Sequence, residues 1–327
     1  MTEPVSLPAQ LPEWPLFGFA DDLRPALRAA LATGRPAALA TIAALDGGGP
    51  RPVGTQMVFG QGIVAGFLSG GCIEADVALH AQATLQDGRV RRLVYGEGSP
   101  WPDIRLLCGA RMEVLVERIA PGDSATTRLF ELMDERRPAV WLSDGSRRVC
   151  DVAPTGWVGA LRLVHDPVWR LAVVGSDPTA LAIAALGAQA GLDTTLIRPK
   201  GPAEPPPLAG VAYRREAAAE ALGIVGLDPW TAVAVATHET ETDHEALTAA
   251  LPSPAPYIGL LGARRRINER IARLTAEGIT ERQLARLRAP IGLDLGGKSP
   301  WEIAVAVIGE VVAVRHAGAE ARMRQEA

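Results

Sequence analysis

Cys72 stands in the stretch Ser69-Gly70-Gly71-Cys72-Ile73-Glu74, where two glycines, a thiol and a carboxyl group fall together. Gly70 and Gly71 let the backbone turn sharply and approach a ligand closely. If a helix starts at the end of this turn, its unpaired amides favour an anion and stabilise a thiolate, making Cys72 a nucleophile or a soft metal ligand. Glu74 has two readings: complement of the helix dipole, or a proton-handling group beside a ligand. Against all of these stands a plain Gly-Gly turn with a buried cysteine. A second small-residue loop, Leu106-Leu107-Cys108-Gly109-Ala110-Arg111, brings another thiol and a cation that could face the first loop, or is itself only a turn with a buried thiol.

Further candidates lie in the second half. Thr237-His238-Glu239, with Asp243 and His244 nearby, follows an apolar run, but the spacing matches no helical two-histidine metal site, so a capped helix start with solvated acids is expected. Gly259-Leu260-Leu261-Gly262-Ala263-Arg264 ends a strand on a helix start and a cation, which is either an anion site or the wet face of a helix. Gly292 to Ser299 matches the glycine-x4-glycine-lysine-serine pattern of a phosphate loop but lacks the buried strand that must precede it. Local capping explains it better: Ser299 caps a helix, Pro300 takes the first position and Glu302 completes the box.

The elements that must position these residues follow from hydrophobic period. Strands are expected at 37–45, 56–59, 63–68, 90–95 and 112–116, with a helix at 73–85 carrying the Gly-Gly-Cys turn at its head, and an earlier helix opened by Asp21 and Asp22 and closed by Gly34. Residues 119–126 read as a linker, followed by a connecting segment with a helix at 127–136 and a strand at 139–142. From Trp169 the pattern changes to strand and helix in alternation: strands at 170–175, 194–197, 232–236 and 257–261, helices at 179–190, 264–275, 281–287 and 300–314. That alternation means a doubly wound parallel sheet. The fold expected is α/β, a mixed α/β domain over 1–166 followed by a Rossmann-like domain over 167–327.

A dinucleotide fingerprint in the second domain is spoiled. Its first turn reads Gly175-Ser176-Asp177-Pro178, placing a carboxylate where bare backbone should meet a pyrophosphate, and Pro178 removes an amide donor. Arg198 stands at the end of the second strand instead of an acid, so NADP is the form of NAD(P) this crevice would favour.

The chain has 327 residues, enough for two cores, with 48% hydrophobic and 21% charged residues, the balance of a globular protein. Acids outnumber bases 37 to 33, which argues against a nucleic-acid partner. No apolar stretch is long enough to span a bilayer, and residues 1–15 lack the basic start and apolar core of a secretion signal. Three cysteines without a close-spaced pair suggest reduced thiols in the cytoplasm.

With these stretches together the chain resembles the XdhC/CoxI family, accessory proteins that mature xanthine-dehydrogenase-type and carbon-monoxide-dehydrogenase-type molybdenum hydroxylases. The resemblance rests on Ala40-Thr41-Ile42, Pro50-Arg51-Pro52-Val53-Gly54, Ser69 to Glu74 and Cys108-Gly109, and further on Thr237-His238, Tyr257 to Arg265 and Pro290-Ile291-Gly292-Leu293-Asp294. It implies a carrier that binds molybdenum cofactor (molybdopterin, with or without an attached nucleotide), protects it while a cysteine desulfurase installs its sulfur, and hands it to an apo-molybdenum hydroxylase. Gly70, Gly71 and Cys72 would belong to the cofactor-binding loop, with Cys108 as a neighbour. The residues expected at cofactor sites are Ser69, Gly70, Gly71, Cys72, Glu74, Cys108, Gly109, His238, Gly262 and Arg264; none is assigned as catalytic. The chain departs from the family pattern at Ala110-Arg111, where a second glycine is usual, and at Gly175-Ser176-Asp177, where glycine-alanine-glycine is usual. Two other functions compete with the carrier: an NAD(P)-dependent oxidoreductase using the second domain, and a thiol enzyme with Cys72 as nucleophile and Glu74 or a histidine as base. A homodimer is expected from the helix at 300–314, which is apolar on more than one face.

Overall fold

The computed structural model describes residues 11–49, 51–97, 99, 111–262 and 264–326, and for 264–266 and 319–326 it describes the backbone alone. The chain forms two compact units, Met1–Pro167 and Val168–Ala327.

In the first unit a short 3-10 turn at Leu16–Gly18 precedes α1 (Arg24–Ala32), β1 (Ala37–Asp46), β2 (Gln56–Gly60), β3 (Ile63–Gly66), α2 (Glu74–Asp87), β4 (Arg91–Tyr95), β5 (Arg111–Ile119), α3 (Ser124–Asp134), β6 (Ala139–Ser143), β7 (Arg148–Asp151) and β8 (Leu161–His165). An antiparallel sheet runs in the order β3-β2-β1-β5-β4, and a smaller one in the order β7-β6-β8. The central strand β1 is apolar on both faces because both are covered. Ala38, Ala40 and Ile42 pack with Ile73, Val77, Ala81 and Leu85 of the α2 region. Ala37 and Leu39, pointing the opposite way, share a core with Leu27 of α1, Leu129 and Leu132 of α3 and Trp141 of β6.

Three expectations need correction here. Residues 119–126 are not a linker: β5 runs through Ile119, and Asp123 caps α3, its Oδ1 accepting from the Thr126 amide at 3.0 Å. The expected connecting segment is the second layer of this unit, since α3 and the smaller sheet close the core behind β1. Strand β3 also stops earlier than expected. At Gly66, φ is +89°, and a side chain would run into the Gln56 carbonyl and Leu23, so the pleat ends there and the chain is released towards the Gly-Gly turn.

The second unit contains β9 (Arg170–Gly175), α4 (Pro178–Gln189), β10 (Asp193–Ile197), β11 (Val211–Arg214), α5 (Ala218–Val225), β12 (Thr231–Ala236), α6 (Thr240–Ala250), β13 (Tyr257–Leu260), α7 (Arg264–Ala276), α8 (Glu281–Leu284), β14 (Leu287–Arg288) and α9 (Pro300–Glu326). Its sheet is parallel throughout, in the order β11-β10-β9-β12-β13-β14. Along β9 and β12 alternate residues serve opposite cores. Leu171, Val173, Ala232 and Ala234 face α4 and α9, while Ala172, Val174, Val233 and Val235 face the layer that holds α5 and α6. The phosphate-loop lookalike is a capping box as expected: Glu302 accepts from the Ser299 amide at 2.9 Å, and the Ser299 hydroxyl accepts from the Glu302 amide at 3.4 Å.

His165, at the end of β8, has its pKa lowered to about 4 by burial and, secondarily, by the Arg24 guanidinium. Above the ordinary value near 6.5 the ring is neutral in both folded and unfolded chains and contributes nothing to pH dependence. Below it only the unfolded chain takes up the proton, so stability falls as pH drops from 6.5 towards 4. Urea denaturation across that window is expected to show a loss on the order of 2 kcal/mol, which His165→Gln removes.

Candidate functional site

The chain from β3 to α2 builds a crown on a buried base. Leu68, Ser69, Ile73 and Glu74 are buried, whereas Gly70, Gly71 and Cys72 are exposed. Glu74 turns inward rather than towards solvent. Its Oε1 accepts from the amides of Leu68 at 3.0 Å and Ser69 at 2.6 Å, and its Oε2 from the Ser69 hydroxyl at 2.7 Å and the Ile73 amide at 3.2 Å. The Ser69 Oγ in turn accepts from the amides of Gly71 at 3.2 Å and Cys72 at 3.1 Å. The expectation of unpaired amides at this helix start therefore fails for Gly71, Cys72 and Ile73, because two side chains of the same loop already take them. Glu74 stands in the first turn of α2, as the dipole reading expects, and its carboxylate is in addition the staple that holds the turn shut.

The exposed part of the crown is stripped of bulk. Gly71 has φ +98°, open to glycine at little cost, and a side-chain carbon added at Gly70 or Gly71 would meet nothing within 4 Å. A flat ligand can thus lie against backbone here, with the Cys72 thiol exposed beside it. The other described thiol, Cys150, is buried, and its pKa is pushed up to about 12, first by burial and then by Asp151. Cys108 and Gly109 lie outside the described residues.

His238, Gly262 and Arg264 belong to the second unit, where they stand past the carboxyl ends of neighbouring strands β12 and β13. His238 is exposed, and its Nε2 lies 3.0 Å from Asp177 Oδ2. Behind it the buried Asp243 accepts from the Thr237 hydroxyl at 2.6 Å and pairs with Arg270 at 2.6 Å; burial raises the Asp243 pKa and these partners oppose the rise. A second guanidinium nitrogen of Arg270 is buried without a hydrogen-bond partner among the described residues and lies 3.3 Å from the point where a side chain at Gly262 would begin. The fourth candidate of this region, His244, is drawn away to Glu277 at 2.7 Å. His238, Glu239, Asp243 and His244 do not converge, and no group of three or more metal-ligating side chains occurs among the described residues.

Removing the staple tests the crown. Glu74→Ala strands three amides and a hydroxyl in a dry site and is expected to lower stability by about 2–4 kcal/mol in urea denaturation. In the unsubstituted protein, limiting iodoacetamide at neutral pH is expected to label Cys72 ahead of Cys150, as read by peptide mass mapping.

Both units have counterparts among known proteins. Residues 171–311 match the model of the XdhC Rossmann domain, and residues 30–96 match that of the XdhC and CoxI family. The molybdenum cofactor insertion chaperone PaoD of Escherichia coli is 31% identical over 304 residues, spanning 90% of this chain and 89% of that protein. A Bacillus subtilis protein named as a probable xanthine dehydrogenase component is 25% identical, spanning 85% of this chain and 93% of that one. A crystal structure described as a xanthine dehydrogenase from Bacillus halodurans shares the fold with a TM-score of 0.73 at 22% identity, over 90% of this chain and 96% of that chain.

Proposed function

The chain belongs to the XdhC and CoxI family, and on that premise we propose that it is a molybdenum cofactor insertion chaperone whose cofactor-binding loop is the crown at Gly70, Gly71 and Cys72. One observation supports the placement: a glycine turn open to solvent with an exposed thiol, hydrogen-bonded from beneath by Ser69 and Glu74. The residues fit the group. Molybdenum cofactor is an anionic pterin dithiolene that supplies the redox centre of the enzyme receiving it. Bare backbone at Gly70 and Gly71 suits close approach of the ring system, and the Cys72 sulfur is a soft ligand for the metal.

In this reading the chain's own residues do little chemistry. Glu74 and Ser69 fix the turn, the two glycines admit the ligand, and Cys72 holds its soft end until a client takes it. Protection during sulfuration by a cysteine desulfurase, and delivery to an apo-hydroxylase of the xanthine dehydrogenase or carbon monoxide dehydrogenase type, extend the same proposal. The buried guanidinium nitrogen behind Gly262, without a partner among the described residues, supports an anion contact in the second unit near Gly262 and Arg264. Trp301, Val305 and Val312, all exposed on α9, support a homodimer that would cover them. No helix among the described residues is long and apolar enough to cross a membrane, and a cytoplasmic site of action fits the free thiols.

The test is retention of molybdenum and pterin after incubation with free cofactor and desalting, by metal analysis and pterin fluorescence. Unsubstituted protein is expected to retain both and Cys72→Ala to lose most of the metal. Equal retention by the two would move the site away from the crown, and retention by neither would end the carrier reading.

A further inference from the structure

The parallel sheet of the second unit reverses its winding between β9 and β12, and that is where such sheets bind nucleotides. Two halves of the crevice differ sharply here. Over the start of α4, where a pyrophosphate would rest, Asp177 is already in place: its Oδ1 accepts from the Ala180 amide at 2.8 Å, and its Oδ2 meets His238 from the end of β12 at 3.0 Å. Pro178 has no amide to offer. This half carries its own anion and a latch from one side of the reversal to the other.

The nucleoside half is open. A cavity of about 640 Å³ is lined by Gly175 and Ser176, by Arg198 and Lys200 after β10, by Arg215 after β11, and by Glu239 and Glu245. Among the described residues, neither Arg198 nor Lys200 has a side-chain ion pair or hydrogen bond, and Arg215 uses its Nε on the Gly201 carbonyl. Three cations lining one cavity suit an anion with several oxygens, and a phosphomonoester supplies it. Glu239 Oε2 accepts from the Thr242 hydroxyl at 3.0 Å and Glu245 Oε1 from the Ala219 amide at 3.1 Å, which leaves the second oxygen of each to accept from sugar hydroxyls or a base amino group.

We propose that this crevice binds a single ribonucleoside phosphomonoester, with its phosphate on Arg198, Lys200 and Arg215 and its sugar or base donors towards Glu239 and Glu245, and that it does not take a dinucleotide in the usual pose. The site belongs to the second unit and the Gly70 to Cys72 crown to the first, and its test does not depend on molybdenum cofactor.

Calorimetric titration of the full chain at low salt with 2′-AMP, 5′-AMP, 5′-CMP, adenosine, inorganic phosphate, NADH and NADPH decides it. At least one nucleoside monophosphate is expected to bind more tightly than both adenosine and phosphate, NADPH no more tightly than the best monophosphate, and NADH not measurably. Comparing the 2′ and 5′ esters tells which ester position the cations meet. Arg198→Gln and Lys200→Gln, both on the surface of the crevice, are each expected to weaken binding by about tenfold, the loss of one charged hydrogen-bond partner. Asp177→Gly is expected to improve NADPH binding by freeing the start of α4. The proposal is overturned if no monophosphate binds, if the two charge-removing variants leave affinity unchanged, or if NADH binds as well as the monophosphates.

Discussion

A carboxylate buried beneath a turn governs the candidate cofactor loop. Glu74 gathers three amides and a hydroxyl within 3.2 Å, and without it the polar groups of Leu68, Ser69 and Ile73 would lie in a dry interior with no acceptor. Satisfying them inward frees the crown from needing side chains of its own for stability. Gly70 and Gly71 can then remain bare, and Cys72 can stand in solvent on a fixed backbone. The packing below is part of the same arrangement, because Ile73, at the head of α2, is fully buried against the apolar face of β1. The exposed thiol is thus fixed to the core of its unit through one residue on either side of the helix start.

Both units solve the same packing problem with a sheet covered on two sides, and this is why their central strands lack polar alternation. In the first, an antiparallel sheet receives one helix on one face and two helices with a small second sheet on the other. In the second, parallel strands receive helices on both faces. Doubly covered strands leave chemistry to their ends and the turns beyond them, and the candidate residues Gly175, Thr237, His238 and Gly262 all stand there.

Much of this was legible in the sequence, for identifiable reasons. Strand, double glycine, cysteine and helix follow from local period and turn chemistry, and the misfit of Asp177 with a dinucleotide needs only the knowledge that backbone must meet the phosphate. The inward direction of Glu74 was hidden because a carboxyl group at a helix start looks alike whether it faces solvent or the turn behind it. Strands β7 and β8 escaped notice because Arg148 to Asp151 and Leu161 to His165 are short and interrupted by charge, gaining their strand character by pairing with β6. Strand β11 and helix α5 follow a proline-rich loop that masks any period. The cation cluster is invisible for a different reason: Arg215 reaches Arg198 and Lys200 only because β11 pairs with β10, a relation no spacing along the chain encodes.

Asp177 has one more consequence, in terms of competition. A carboxylate tethered one residue before a helix acts on that helix start at an effective concentration of millimolar or above, about the scale of short flexible tethers. Any free anion arriving there must outcompete a group that never diffuses away and that His238 helps to hold. The helix start of the second unit thus carries its own carboxylate: a free phosphate would have to displace Asp177 from the Ala180 amide at the position where the fold most often captures an anion.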